Sequence, residues 1–274
     1  LPTQPTQPPP PDGPRVLLPP EVLHDERRSG SGAGSGCVVW HTGLVQGPTG
    51  LALTLVVEGA PGDFGGQGWD DFDPLGPAGT TLRGPESPGY LVPFQDVERH
   101  PRRYVATGTF GPVGTHDACL EFWVRPLNLH ALRHLDEPAA APSESLLPFL
   151  LPPETLYRQD GRVAWHPGLV QGPGGDAHAR LEVRSEGGKE SELLGPGWHL
   201  ADRPTGTSLP LRITASSGSG HPVEPPLTVL GSERALYART WFTRSQLSDA
   251  TVHHTIAPLD VHTARRTRRV PGSD

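Results

Sequence analysis

The chain has 274 residues, of which 34 are Gly and 34 are Pro, only 34% are apolar, and the formal charge is −7. Gly plus Pro at about twice ordinary usage excludes a long helical bundle or coiled coil, and no run of 18 apolar residues is present to cross a membrane as a helix. An acidic body with four Arg among residues 264–274 argues against broad nucleic-acid binding. The chain holds a single Lys and no Met against 22 Arg, a composition that points to a high-GC bacterial gene.

Residues 1–15 begin as LPTQPTQPPPPDGP and read as a polyproline-type tail. A first β unit is expected over 16–135, interrupted at 29–36 by a flexible SGSGAGSG insertion. Within it, 37–58 read as strand, turn, strand, with Gly47-Pro48-Thr49-Gly50 at the turn. Further strands are expected over 90–94 and 104–110, and 120–125 (LEFWVR) is taken as the unit's last strand. The segment 127–135 (LNLHALRHL) reads as a short helix, and 136–145 as a linker.

A second β unit is expected over 146–256, because the chain repeats itself. Val38–Gly50 (VVWHTGLVQGPTG) matches Val163–Gly175 (VAWHPGLVQGPGG) at an offset of 125, and Leu17-Leu18-Pro19-Pro20-Glu21 matches Leu150-Leu151-Pro152-Pro153-Glu154 at 133. Gly66-Gln67-Gly68-Trp69 matches Gly195-Pro196-Gly197-Trp198, and Pro77–Leu82 is aligned with Pro204–Leu209. LEFWVR is aligned with RTWFTR (239–244), which a second short helix over 245–253 would follow. Residues 257–274 are expected to be a basic tail. The fold class is therefore mainly β: two tandem β-sandwich or small-barrel units from an internal duplication, with short helical segments after each unit's last strand.

The repeated polar and aromatic residues are the candidates for chemistry: Trp40, His41, Trp69 and Asp73 in the first copy, and Trp165, His166, Trp198 and Asp202 in the second. A His beside a tight turn can act as a base or ligand, but it also serves to bind backbone amides. Trp69 and Trp198 could be platforms for a sugar ring, provided they are exposed. No HExxH, CxxC, nucleophile elbow, P-loop or dinucleotide fingerprint is present, and Cys37 and Cys119 have no counterparts in the second copy. No cofactor or metal is expected.

One strand raises a separate question. Aligned without gaps, Leu51, Leu53, Leu55 and Val57 stand where the second copy has Asp176, His178, Arg180 and Glu182. That marks the four apolar residues as a face that must be covered, by another part of the chain or by a partner at a possible interface, and the four polar ones as a solvent face. The scaffold character of the shared residues favours a non-catalytic interaction or assembly module, with a protein partner or self-association and neither nucleic acid nor membrane. The alternatives are a carbohydrate or small-ligand binder using the tryptophans, and an enzyme pairing His41 or His166 with Asp73 or Asp202. A secretory leader is not visible, so the expected location is cytoplasmic.

Overall fold

The computed structural model describes residues 13–29, 36–59, 64, 69, 77–84, 90–92, 96–100, 102–110, 117–135, 145–185, 198, 209–216, 222–225, 227–231, 235–247 and 249–268. The chain is mainly β, built from several antiparallel sheets. No helix among the described residues is long and apolar enough to cross a membrane.

The N-terminal half runs through β1 (Arg15–Leu18), β2 (Glu21–Asp25), β3 (Val38–His41), β4 (Leu44–Gly47), β5 (Gly50–Glu58), β6 (Ala78–Arg83), β7 (Tyr90–Val92), β8 (Asp96–His100), β9 (Arg103–Phe110), β10 (Cys119–Val124) and β11 (Leu129–His134). Its larger sheet has the order β1-β4-β5-β3-β2, with β9 on the other flank of β5 and β8 beyond it. Its smaller sheet has the order β11-β10-β6-β7.

The C-terminal half runs through β12 (Phe149–Leu151), β13 (Glu154–Gln159), β14 (Arg162–His166), β15 (Leu169–Gln171), β16 (Ala177–Ser185), β17 (Leu211–Ser216), β18 (Pro222–Val223), β19 (Leu227–Gly231), β20 (Ala235–Phe242), β21 (Thr251–Ile256) and β22 (Val261–Arg266). Its larger sheet is β12-β15-β16-β14-β13 with β20 and β19 on the other flank, and its smaller sheet is β18-β17-β21-β22. Strand for strand, this order follows that of the first half.

In each half one buried cluster draws on both sheets. Leu51, Leu53, Leu55 and Val57 of β5 pack with Leu120, Phe122 and Val124 of β10 and Leu82 of β6. Ala179, Leu181 and Val183 of β16 pack with Leu211, Ile213, Val252 and Ile256 of the second smaller sheet. The period of two in β10 and β21, half-buried alternating with buried, is what a strand with one face on a core requires.

Several expectations need correction. Residues 129–134 are strand β11 rather than helix, because the inward Leu129, Ala131 and Arg133 alternate with the exposed His130, Leu132 and His134. Among the described residues of 245–253, the only helix is the tail of a four-residue turn, α1 (Arg244–Leu247), after which β21 begins. LEFWVR is β10, whose counterpart by pairing is β21, whereas RTWFTR ends β20, the counterpart of β9. Likewise β6 corresponds to β17 at 211–216, not to 204–209. The basic tail does not start at 257, since Val261–Arg266 form the edge strand β22. Residues 1–12, 30–35 and 269–274 lie outside the described residues.

The most consequential correction concerns β5. The last strand pair before the first hairpin turn is Gly47↔Gly50, which leaves Pro48 and Thr49 at its tip. The second hairpin ends at Gln171↔Ala177 and spans a loop closed by Gly172 N–H donating to the Asp176 carbonyl, 2.8 Å. That loop holds one more residue than the segment between Gln46 and Leu51. Trp40 therefore stands opposite Val56, and Trp165 opposite Glu182, an offset of 126 rather than 125. A one-residue slip turns every side chain to the other face. His178, Arg180 and Glu182 correspond to Ala52, Thr54 and Val56, not to Leu53, Leu55 and Val57.

Candidate functional site

Two arrangements gather the repeated polar and aromatic residues. The first is a seam where the larger sheets of the two halves meet. Trp40 lies against Gly172, and Trp165 against Gly47. A Cβ on either glycine would come within 2.6 Å and 2.4 Å, respectively, of the facing indole, so a side chain there must displace the ring. Val170 belongs to the buried Trp40 cluster and Val45 to the Trp165 cluster. The contact is reciprocal: each half supplies a Trp and a Val, and receives the other half's pair, as across a two-fold axis.

The seam's polar centre comes mainly from the C-terminal half. Trp165 Nε1 donates to Thr49 Oγ1 (3.1 Å), and the Thr49 hydroxyl donates onward to Glu182 Oε1 (3.0 Å). Glu182 is fully buried between Arg180 (3.2 Å) and Arg184 (2.5 Å). Arg180 Nη1 reaches the Gly108 carbonyl of the opposite half at 3.4 Å, and Arg184 donates to the Tyr237 hydroxyl at 2.7 Å. At one end Arg103 pairs with Asp176 and stacks 4.3 Å over the Trp241 ring, which meets Trp40 edge-on. His178 packs on the same indole, and burial, reinforced by Arg239 and Arg180, pushes its pKa down to about 3.

The second arrangement occurs once in each half. Glu21, from the first Leu-Leu-Pro-Pro-Glu block, is gripped by both Nε (2.8 Å) and Nη2 (2.6 Å) of Arg133 on β11. Glu154, from the second, is gripped in the same way by Arg265 on β22, at 2.8 and 2.5 Å. Such a fork fixes geometry as well as charge. Burial opposes the charge on Glu21, yet the Arg133 fork and His41 bring its carboxyl down to about 2.

Beside each carboxylate stands the repeated histidine. His41 Nε2 is 3.9 Å from Glu21 and His166 Nε2 is 3.9 Å from Glu154, beyond hydrogen-bond reach. On the other ring nitrogen, Nδ1 accepts the backbone N–H of Gly43 (3.0 Å) or Gly168 (3.2 Å). These glycines adopt φ of +86° and +103° in the turns that follow. The ring lone pair is thus spent on the backbone, which leaves the proton on the sealed Nε2. His41 stacks on Phe122, and His166 on His254. Burial lowers the His41 pKa despite the pull of Glu21, and lowers that of His166 to about 4. Neutral rings with no available lone pair are turn braces, not bases.

The remaining candidates fall elsewhere. Trp69 and Trp198 are buried in the cores of their halves, 6% and 5% exposed, Trp69 against Phe64 and Tyr104. They are not surface platforms. Leu51, Leu53, Leu55 and Val57 face the smaller sheet of their own half, so they are core rather than an apolar interface. Asp73 and Asp202 lie outside the described residues. Among the described residues, no three His, Cys, Asp or Glu side chains are grouped to hold a metal ion.

Sequence reasoning missed Thr49, Arg133, Arg265 and the buried side of β16. A signal for the arginines was present: Pro126-Leu127-Asn128-Leu129-His130-Ala131-Leu132-Arg133 repeats as Pro258-Leu259-Asp260-Val261-His262-Thr263-Ala264-Arg265, at an offset of 132. Asn128 and Asp260 both take the left-handed conformation that turns the chain into the edge strand. The chain matches no protein-family model, and no curated protein matches it.

Proposed function

We propose that the chain is a tandem duplication of one β-sandwich unit, 16–135 and 146–268, and that it works without catalysis, by binding another macromolecule or its own kind. The observation that carries this reading is where the repeated residues are spent. Trp40 and Trp165 lock the halves together, His41 and His166 brace turns, Glu21 and Glu154 tie an edge strand to the larger sheet, and Trp69 and Trp198 fill cores. Among the described residues, each of these repeated groups is committed to holding the scaffold. The equal strand orders and shared registers support the duplication, and a buried cluster drawing on both sheets of each half supports the sandwich.

The sugar-binding reading loses its two exposed platforms, and the enzyme reading loses its bases. Chemical cross-linking of the full chain, alone over a range of concentrations and in a lysate, tests the proposal. A saturable cross-linked species of defined mass is expected. A chain that stays monomeric and unaccompanied throughout contradicts the interaction reading.

A further inference from the structure

We propose that the outer edge of β13, at Thr155, is a docking site for an extended peptide strand of a partner protein. The inference deepens the interaction reading and rests on it for the correspondence between the halves. In the N-terminal half the equivalent edge is occupied by the chain itself. Val22 N–H donates to the Ser145 carbonyl (2.8 Å), and Leu147 N–H donates to the Pro20 carbonyl (2.9 Å), around an antiparallel bridge between Glu21 and Leu146. The Leu147 side chain packs against the Trp40 cluster. Residues 145–147 thus act as a short extra strand on β2.

The C-terminal half presents the same edge. β2 meets β3 with Glu21↔His41 and Val22↔Trp40, and β13 meets β14 with Glu154↔His166 and Thr155↔Trp165. The shared register puts Thr155 N–H and the Pro153 carbonyl where Val22 N–H and the Pro20 carbonyl stand, turned away from β14. Among the described residues no added strand pairs with them. The Thr155 hydroxyl is also buried without a hydrogen-bond partner. Among the described residues, the partly buried hydrophobic side chain packed on the Trp165 cluster is Phe149, which is not the counterpart of Leu147. An edge with unpaired main-chain groups is a template for a strand.

The chain's own counterpart of residues 145–147 is residues 12–14, since Phe149↔Val170 matches Val16↔Val45 at an offset of 133. Pro14 stands where Leu147 donates, and it has no N–H. Among the described residues, no backbone hydrogen bond joins Gly13 or Pro14 to β13. A second copy offers no better segment, because its Ser145–Leu147 is already paired on its own β2. The occupant is therefore a foreign segment, with an N–H where Pro14 has none and an apolar side chain in Leu147's place.

The test uses the full chain and a capped peptide, Ser-Glu-Ser-Leu-Leu-Pro-Phe, which copies residues 143–149. Amide exchange is followed by NMR. Free protein should show a protected Val22 amide and a fast Thr155 amide. The peptide should bind saturably and slow Thr155 exchange by about tenfold or more, and N-methylation at the second Leu should weaken binding by about tenfold, the effect of one lost hydrogen bond. A Thr155 amide already protected in the free chain, a peptide that leaves it fast, or an N-methyl peptide that binds equally well would each overturn the inference. If Thr155 stays unaffected while the chain still cross-links a partner, only the docking edge fails. If the peptide docks but no partner is ever cross-linked, only the broader interaction reading fails.

Discussion

β5 and β16 hold the same place in their sheets, and their inward faces are alike, but their seam faces are opposite in character. β5 shows Ala52, Thr54 and Val56 to the other half, whereas β16 shows His178, Arg180 and Glu182. Large polar side chains of one half fill the space left by small ones of the other. Two faces of the β5 type would leave a gap, and two of the β16 type would crowd large polar side chains against each other. The difference makes one half specific for the other, in the way steric and charge mismatch reject wrong pairings. It also explains how a buried carboxylate is tolerated: Glu182 has two guanidinium groups and a hydroxyl around it.

Reversing the inward face should have the largest effect. The double change Leu53→Asp, Leu55→Arg puts two charges into the core of the N-terminal half, and a loss above about 5 kcal/mol, enough to unfold an ordinary domain, is expected in urea denaturation. Near-wild-type stability would mean that this face is not core. Stripping the charge from the seam comes next. Glu182→Ala leaves the buried Arg180 and the half-buried Arg184 without their carboxylate, at a cost of about 3–5 kcal/mol; a midpoint unchanged in urea would show that the carboxylate is not sealed between the halves.

Acid provides a third test. His166 titrates near 4 in the folded chain against an ordinary value of 6.5, so between these values the unfolded chain binds more protons. Stability should fall as pH drops from about 6.5 toward 4, by about 3 kcal/mol from this residue alone, and His178 acts in the same direction. Glu21, held near 2, adds a further loss as pH falls below about 4.5. Stability that stays flat from pH 7 to 4 would place these rings in water. The smallest effect belongs outside the seam. His130→Gln breaks an exposed contact with Glu121 on the outer face of the smaller sheet, and should change stability by less than about 0.5 kcal/mol.

The contrast between β5 and β16 also marks how far the sequence could be read. Period-two alternation and turn glycines exposed about half of the strands, and the Trp-His block located β3 and β14 correctly relative to their turns. What misled was a single residue added to the second hairpin loop. Both loops read Gly-Pro-x-Gly, so an ungapped match ran straight through the insertion and exchanged the core face for the seam face. On that footing charges on β16 looked solvated, because a strand's alternation reveals two faces but not which neighbour covers each. The segment 127–135 was misread for a related reason: Leu132 on its outer face stands three residues from both Leu129 and Leu135, which blurs period two toward a helical spacing. Arg133 then went unnoticed as the grip on Glu21, since the two residues are 112 positions apart and only the folded edge brings them together.

The docking of the halves is tested most directly by a double-mutant cycle across the seam, with Thr49→Val and Glu182→Gln measured singly and together by urea denaturation. Thr49 belongs to the hairpin tip of one half and Glu182 to the central strand of the other, joined at 3.0 Å. A coupling of about 1.5–3 kcal/mol, the range for a hydrogen bond to a charged group, is the expected result. Effects that add to within about 0.3–0.5 kcal/mol would mean that the two residues do not meet, and would contradict the seam.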